Sequence, residues 1–314
     1  MMFDARLFLI GFLQALFVLL LAPFFAGLAR VLRAKMHSRK GPPLFQYYYD
    51  IVKLMKRQEV RPAQATWVFR ATPYIIMVSV LLIAALIPMW VLQSPFGVVG
   101  DMILVVYLFA MVRFFLAMSG FDSGSGFAQI GVARELALGV LVEPAIMLVL
   151  FIIALFAGST NLGTMSQMIA LGKVSYTSPA IWLGMAAFAV ASFIETGKLP
   201  FDLAEAEQEV QEGPLTEYSG PGLALLKWGI FAKQVVVLSL FLAIFFPFGS
   251  AATPGLPGVL GAAVLFFLKL FCLYVIVAVI ENSMARLTLF RAPHITWVAL
   301  GIALLSFVFY LVQI

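Results

Sequence analysis

Charge is scarce in this sequence. Only 11% of its 314 residues are Asp, Glu, Lys or Arg, whereas a soluble domain of this size carries roughly a quarter. Cysteine is scarcer still. The single Cys272 excludes an intrachain disulfide and any iron–sulfur cluster held by this chain alone. The two histidines, His37 and His294, lie away from the middle of any apolar run. A haem b set between helices takes paired axial ligands inside them, so the composition argues against a cytochrome. No Gly-rich phosphate loop, zinc spacing or nucleophile elbow is present either. These absences leave no catalytic residue and no metal site to name, and they assign any chemistry to partners.

What is plentiful is apolar. Hydrophobic residues make up 63% of the chain, and runs long enough to cross a bilayer recur from end to end. They predict an all-α polytopic membrane protein forming one integral-membrane domain over 1–314. The expected spans are roughly 7–29, 71–93, 101–119, 135–157, 179–198, 228–248, 258–281 and 295–313. The first run, Leu7 to Ala29, reads as a retained helix rather than a cleaved signal, because its basic cluster follows it. Pro-Gly punctuation at Thr253–Gly258 separates two spans. Pro73, Pro88 and Pro144 fall at or inside spans, where kinks are tolerated.

Basic residues set the orientation. The connection 30–70 holds Arg30, Arg33, Lys35, Arg39, Lys40, Lys53, Lys56, Arg57, Arg61 and Arg70. With eight spans, Arg134, Lys198, Lys227, Arg286 and Arg291 share its side, against only Arg6 and Lys173 opposite. The expectation is a bacterial inner-membrane protein with long cytoplasmic connections and both termini periplasmic. Within the first connection, Leu44–Val60 reads as an interfacial amphipathic helix. Ile51, Leu54 and Met55 fall at helical spacing, with Lys53, Lys56 and Arg57 on the rest of its surface. A snorkelling helix on anionic lipid and a docking surface for a soluble partner both fit, and the run Tyr47-Tyr48-Tyr49 serves either.

The connection 198–227 is acidic. Asp202, Glu205, Glu207, Glu209, Glu212 and Glu217 outweigh Lys198 and Lys227, leaving a net −4. Asp202 followed by Glu205 looks like the start of a short capped helix. On it Glu205, Glu209 and Glu212 would share a face. A solvated loop is one reading; a carboxylate cluster folded into a polar cavity, able to relay protons, is the other.

Within the spans, Arg113, Glu143, Glu195, Lys233, Lys269 and Glu281 stand out. A charge at the bilayer centre costs about 2.5–3.5 kcal/mol on insertion scales, so such residues face a bundle interior or water. Glu143 precedes Pro144, whose kink frees backbone groups for a water-lined path. Arg113 fits a structural ion pair with Glu143 as well as it fits a functional role. Glu195 and Glu281, near helix ends, also fit snorkelling. Lys233 and Lys269 are expected to pair with acids of this chain or a neighbour.

Several stretches carry a resemblance. Ile194-Glu195-Thr196-Gly197-Lys198-Leu199-Pro200-Phe201-Asp202, running on to Glu217-Tyr218-Ser219-Gly220, is similar to the signature loop of the respiratory complex I subunit that bridges its two arms. Arg39-Lys40-Gly41-Pro42 and Gly131-Val132-Ala133-Arg134-Glu135 are further matches. Asp122-Ser123-Gly124-Ser125, Gln208–Glu217 and Glu281-Asn282-Ser283-Met284-Ala285-Arg286 resemble the membrane subunits of group 4 [NiFe]-hydrogenases, of the formate hydrogenlyase and hydrogenase-4 kind. After Gly41-Pro42 the chain continues Pro43-Leu44-Phe45-Gln46, where quinone-reducing relatives carry a longer stretch, which argues against a quinone.

The resemblance implies a subunit that is not itself catalytic and binds no cofactor. A [NiFe] centre and iron–sulfur clusters would sit in partners: the hydrogenase large and small subunits, iron–sulfur subunits and formate dehydrogenase, beside antiporter-like membrane subunits and lipid. Arg39, Lys40, Gly41, Pro42, Glu217 and Tyr218 would dock the peripheral arm. Arg113, Glu135, Glu143, Glu195, Asp202, Glu205, Glu207, Glu209, Glu212, Lys233, Lys269 and Glu281 would couple redox chemistry to proton or ion movement. The equivalent subunit of a quinone-reducing complex I is the alternative. A stand-alone transporter is weaker, since the two halves show no repeat.

Overall fold

The computed structural model describes residues 5–174, 176–205, 207–287 and 291–313; of 207, 208, 292 and 313 it describes the backbone. In chain order the α-helices are α1 Ala5–Met36, α2 Gln46–Met55, α3 Trp67–Leu86, α4 Met102–Asp122, α5 Gly126–Ala157 and α6 Leu162–Ala170. They continue with α7 Pro179–Glu195, α8 Glu207–Val210, α9 Gly220–Phe245, α10 Leu256–Ser283 and α11 Ala292–Gln313. Seven of them are long and apolar enough to cross a membrane, and the 17-residue α7 is a shorter apolar helix between them. The chain is an all-α multi-pass membrane protein. Among the described residues the only extended pairing is two isolated bridges, Val91 with Ala251 and Asp101 with Asn161.

Helix ends follow local chemistry. The span expected over 71–93 stops at Leu86, because Ile87 precedes Pro88 and takes an extended conformation. The backbone groups released there are met by the buried Gln14 of α1. With its side-chain oxygen and nitrogen exchanged to suit these neighbours, its amide donates to Ile87 O (3.0 Å) and accepts from Trp90 N (3.1 Å). At the other end of α3, the amides of Thr66 (2.8 Å) and Phe69 (3.1 Å) and the Thr66 hydroxyl (2.9 Å) all donate to Asp122 Oδ2. The Asp122-Ser123-Gly124-Ser125 stretch is thus the clasp holding the start of α3 to the α4–α5 turn.

α9 is the axis of the bundle, buried for most of its length and packed by α1, α2, α3 and α7. α10 is the opposite: it leans mainly on α1 and presents much of its surface outward. α2, shorter than the expected 44–60, packs Ile51 inward against α9 and α1. The connections 37–66, 196–219 and 284–287 gather at one end of the bundle. Segments 87–101, 158–178 and 246–255 meet at the other, joined by Ala251 N to Trp90 O (2.8 Å) and Leu162 N to Gly100 O (2.9 Å).

Candidate functional site

Four helices bring five charges together. α4 supplies Arg113, α5 supplies Glu135 and Glu143, α7 ends on Glu195, and α9 supplies Lys233. Arg113 lies 2.5 Å from Glu143, 2.5 Å from Glu195 and 3.8 Å from Glu135. Lys233 lies 2.8 Å from Glu195 and 4.0 Å from Glu135. Arg113, Glu195 and Lys233 are all buried. Three carboxylates around two cations leave one negative charge in excess when all ionise.

Helical periodicity places the α5 members: Glu135, Gly139 and Glu143 are four residues apart and share a face. Gly139 sits where the Arg113 guanidinium lies, and any Cβ there would overlap its Nη1, Cζ and Nε atoms. Gly131, two turns earlier, lets the 204–214 connection press onto α5. A Cβ on it would come within 2.9 Å of Gly213, Ala204 and Pro214 atoms.

Two small cavities reach this cluster, and a wide one adjoins the first of them. A wide one of about 800 Å³ opens between α1, α2 and the acidic connection, with Arg30, Arg33, Lys198, Asp202, Glu205 and Glu281 among its walls. A small one of about 60 Å³ shares Gly197, Asp202, Glu205 and Gln234 with it, and reaches Arg113, Glu135, Glu195 and Lys233. A third, of about 20 Å³, is lined by Glu195 and Glu143 among apolar residues deeper in the bundle. Gln234, which the sequence reading passed over, donates to Thr196 O (2.9 Å) and accepts from the Tyr274 hydroxyl (3.3 Å) at the junction of the first two.

Glu205 stands at that junction. Its side chain is exposed, but the surface it exposes lines the two cavities. That confinement, with the charges of Glu135 and Glu212 nearby, pushes its carboxyl up to about 7 against the pull of Lys227. Lys198, buried beside the wide cavity, lies 3.7 Å from Glu281 and 4.6 Å from the Tyr274 ring centroid; burial lowers its ammonium pKa.

The remaining acids disperse. The helix expected to start at Asp202 is absent: Asp202 does not cap it but forms a double contact with Arg286 (2.5 and 3.2 Å). Glu209, on the single turn of α8, pairs with Arg134 at 2.5 Å, and Glu212 with Lys227 at 3.3 Å. Glu205, Glu209 and Glu212 therefore share no face. The side chain of Glu207 lies outside the described residues. Glu281 sits between Lys198 and Arg33, 3.7 and 3.8 Å away. Lys269 is remote from the cluster. It donates to the carbonyls of Phe246 (2.8 Å) and Phe248, which the end of α9 leaves unpaired, instead of to an acid.

The residues expected to dock a partner lie at the same end of the bundle but do not all face outward. Arg39 and Lys40 are exposed in the turn after α1, where Gly41 packs against Ala34 and Pro42 leads towards α2. Val60 N and O exchange hydrogen bonds with the Ser219 hydroxyl, both at 2.8 Å, binding the first connection to the Glu217–Gly220 stretch. Glu217 is half-buried there. Tyr218 points inward, stacked on Phe69 at 3.9 Å and donating to its carbonyl at 2.9 Å; burial pushes its phenol up to about 12.

The NADH dehydrogenase family model matches residues 9–311. The chain belongs to that family. Within it, hydrogenase-4 component C of Escherichia coli strain K12 is 47% identical over 309 residues, 98% of this chain and 97% of that protein. Formate hydrogenlyase subunit 4 of the same organism is 48% identical over 296 residues, 94% and 96% of the two. The family fold is also that of a chain in the membrane-bound sulfane sulfur reductase, an archaeal respiratory membrane complex. The two superpose with a TM-score of 0.83 over 97% of this chain and 99% of the other, at 21% identity.

Proposed function

We propose that this chain is the membrane subunit of a hydrogenase complex of the formate hydrogenlyase or hydrogenase-4 kind. It seats the peripheral [NiFe] arm on its cytoplasmic face and links that arm's redox chemistry to proton movement in the membrane. Near-half identity to two named hydrogenase subunits over almost the whole chain supports the setting. The observation that carries the coupling role is the sequence of shared cavity walls. Glu205 belongs to the wide and the small cavity, and Glu195 to the small and the deep one, where Glu143 stands. A proton arriving at Glu205 near neutral pH changes the field on a cluster that already holds one excess carboxylate. Clusters Glu195–Arg113–Glu143 and Glu195–Lys233 then redistribute their pairing. Electrons, nickel and iron stay with the partners.

Glutamine replacements test this, since they keep shape and remove the titratable proton. In the assembled complex, Glu143→Gln and Glu205→Gln should each leave subunit stoichiometry intact. Each should lower proton-gradient-dependent hydrogen turnover in vesicles by about a hundredfold, the low end of a positioned proton-transfer group. Wild-type turnover and an unchanged response to an uncoupler in both variants would sink the role. The complex I alternative separates on quinone: turnover that persists in quinone-deficient membranes supports the hydrogenase setting, and turnover restored only by added quinone opposes it.

A further inference from the structure

The wide cavity has a second character, independent of the coupling route at its inner end. Its outer wall is α2, and residues in and just before that helix make an exposed apolar stripe: Phe45, Tyr49, Val52 and Met55. A stripe of this spacing lies in the acyl boundary of a bilayer, with basic residues at headgroup level. The mouth beside α2 therefore opens where lipid head groups are.

The charges around that mouth do not balance locally. Asp202 is taken by Arg286, Glu212 by Lys227, and Asp50 accepts from the Gln46 amide at 2.9 Å. Glu281 is shared by Arg33 and Lys198. Among the described residues, Arg30, Lys53 and Arg57 line the cavity with no carboxylate in ion-pair range, Arg30 lying 5.5 Å over the Tyr47 ring instead. Beside these cations the α1 and α2 walls present Ala26, Ala29, Ile51 and Leu54, while Asp202, Glu205 and Glu281 line the inner end. Cations without carboxylate partners beside apolar side chains of α1 and α2, next to lipid, suit an amphiphile with an anionic head.

We propose that the wide cavity holds the phosphate head group of an anionic membrane phospholipid, bound by Arg30, Lys53 and Arg57, with its glycerol and upper acyl chain against the apolar lining. Neighbouring Arg33 and buried Lys198 extend the same positive field inward. At this place a lipid would close the water path from the membrane side while leaving Glu205 to communicate with the cytoplasm. The proposal stands whether or not Glu205 carries protons.

The test uses the complete complex, purified in detergent and washed with excess phosphatidylcholine micelles, with retained lipid counted by mass spectrometry. Wild type should keep about one phosphatidylglycerol per chain against the wash. Lys53 and Arg57 are exposed, so the double variant Lys53→Gln/Arg57→Gln should fold. Each lost cation is expected to weaken binding roughly fivefold, and the pair about 25-fold. Lys56→Gln, on the same helix but outside the cavity wall, should retain lipid as wild type does. Equal retention by the double variant would overturn the proposal. So would displacement of the lipid by millimolar inorganic phosphate, which would mark a free-anion site, or finding a quinone or a partner's polypeptide in the cavity instead.

Discussion

Gly139 is the residue on which the charge cluster closes. In an ordinary helix interior, replacing Gly by Ala gains about 1 kcal/mol from helix propensity. Here the added methyl would occupy the position of the Arg113 guanidinium. Arg113 has no room to yield, because Glu143 and Glu195 grip it from two sides at 2.5 Å each. Moving it would take the cation from Glu143 and leave Glu195 with Lys233 alone, a loss that approaches the roughly 3–5 kcal/mol seen when a buried pair is broken. We expect Gly139→Ala to lower the unfolding temperature of the purified complex by several degrees and to depress hydrogen turnover. Ile103→Ala, on the outward face of α4, should do neither. An unchanged or higher unfolding temperature for Gly139→Ala would show that Arg113 is not confined as described. The composition made Arg113 and Glu143 conspicuous as charges in apolar runs, and their pairing was open from the sequence. Gly139 was not legible there, because a glycine one turn from two glutamates signals nothing until a second helix delivers the guanidinium against it.

At the scale of elements, α10 is held to the acidic connection by charge more than by packing. It leans mainly on α1, while its C-terminal end reaches Lys198 through Glu281 at 3.7 Å and Asp202 through Arg286 at 2.5 Å. The Arg286–Asp202 contact is two-pronged and partly buried, so it exceeds an ordinary surface pair of about 0.2–1 kcal/mol. Arg286→Asp should loosen the end of α10 and raise hydrogen exchange over residues 276–283. The charge swap Asp202→Arg/Arg286→Asp should restore most of the protection. Additive effects with no rescue would mean the two side chains are not coupled. This pair also explains why the expected helix at Asp202 is missing. Capping is a local rule, and Asp202 followed by Glu205 satisfies it, but a guanidinium 84 positions along the chain claims the same carboxylate. The spans themselves were legible because each is a long apolar run. Their ends moved where side chains from distant segments supplied backbone partners, as Asp122 does for α3 and Gln14 does beyond it.

For the molecule as a whole, the two ends of the bundle differ in charge far more than in hydropathy. Residues 30–70 alone carry ten Lys and Arg, and ion pairs draw Arg33, Arg134, Lys198, Lys227 and Arg286 to the same end. At the opposite end the connections contribute Lys173. Positive residues close to span ends resist translocation, whereas acids count for little, so the acidic stretch 202–217 does not offset the bias. The basic end should therefore face the cytoplasm, which is also where a soluble redox arm can reach Arg39, Lys40 and the Val60–Ser219 junction. The single Cys272, exposed on α10, makes a labelling test direct once it is replaced by Ser. Gln58→Cys and Val98→Cys place one thiol at each end, on exposed positions, without changing any charge. A membrane-impermeant maleimide added to intact cells should label Cys at position 98 and spare position 58. Inside-out vesicles should reverse the pattern. Labelling of position 58 from outside the cell would invert the molecule and rule out the proposed docking of a cytoplasmic arm. With ten bases within residues 30–70, neutralising any one or two of them should leave the pattern unchanged, because the orientation is set by the sum and not by a particular residue.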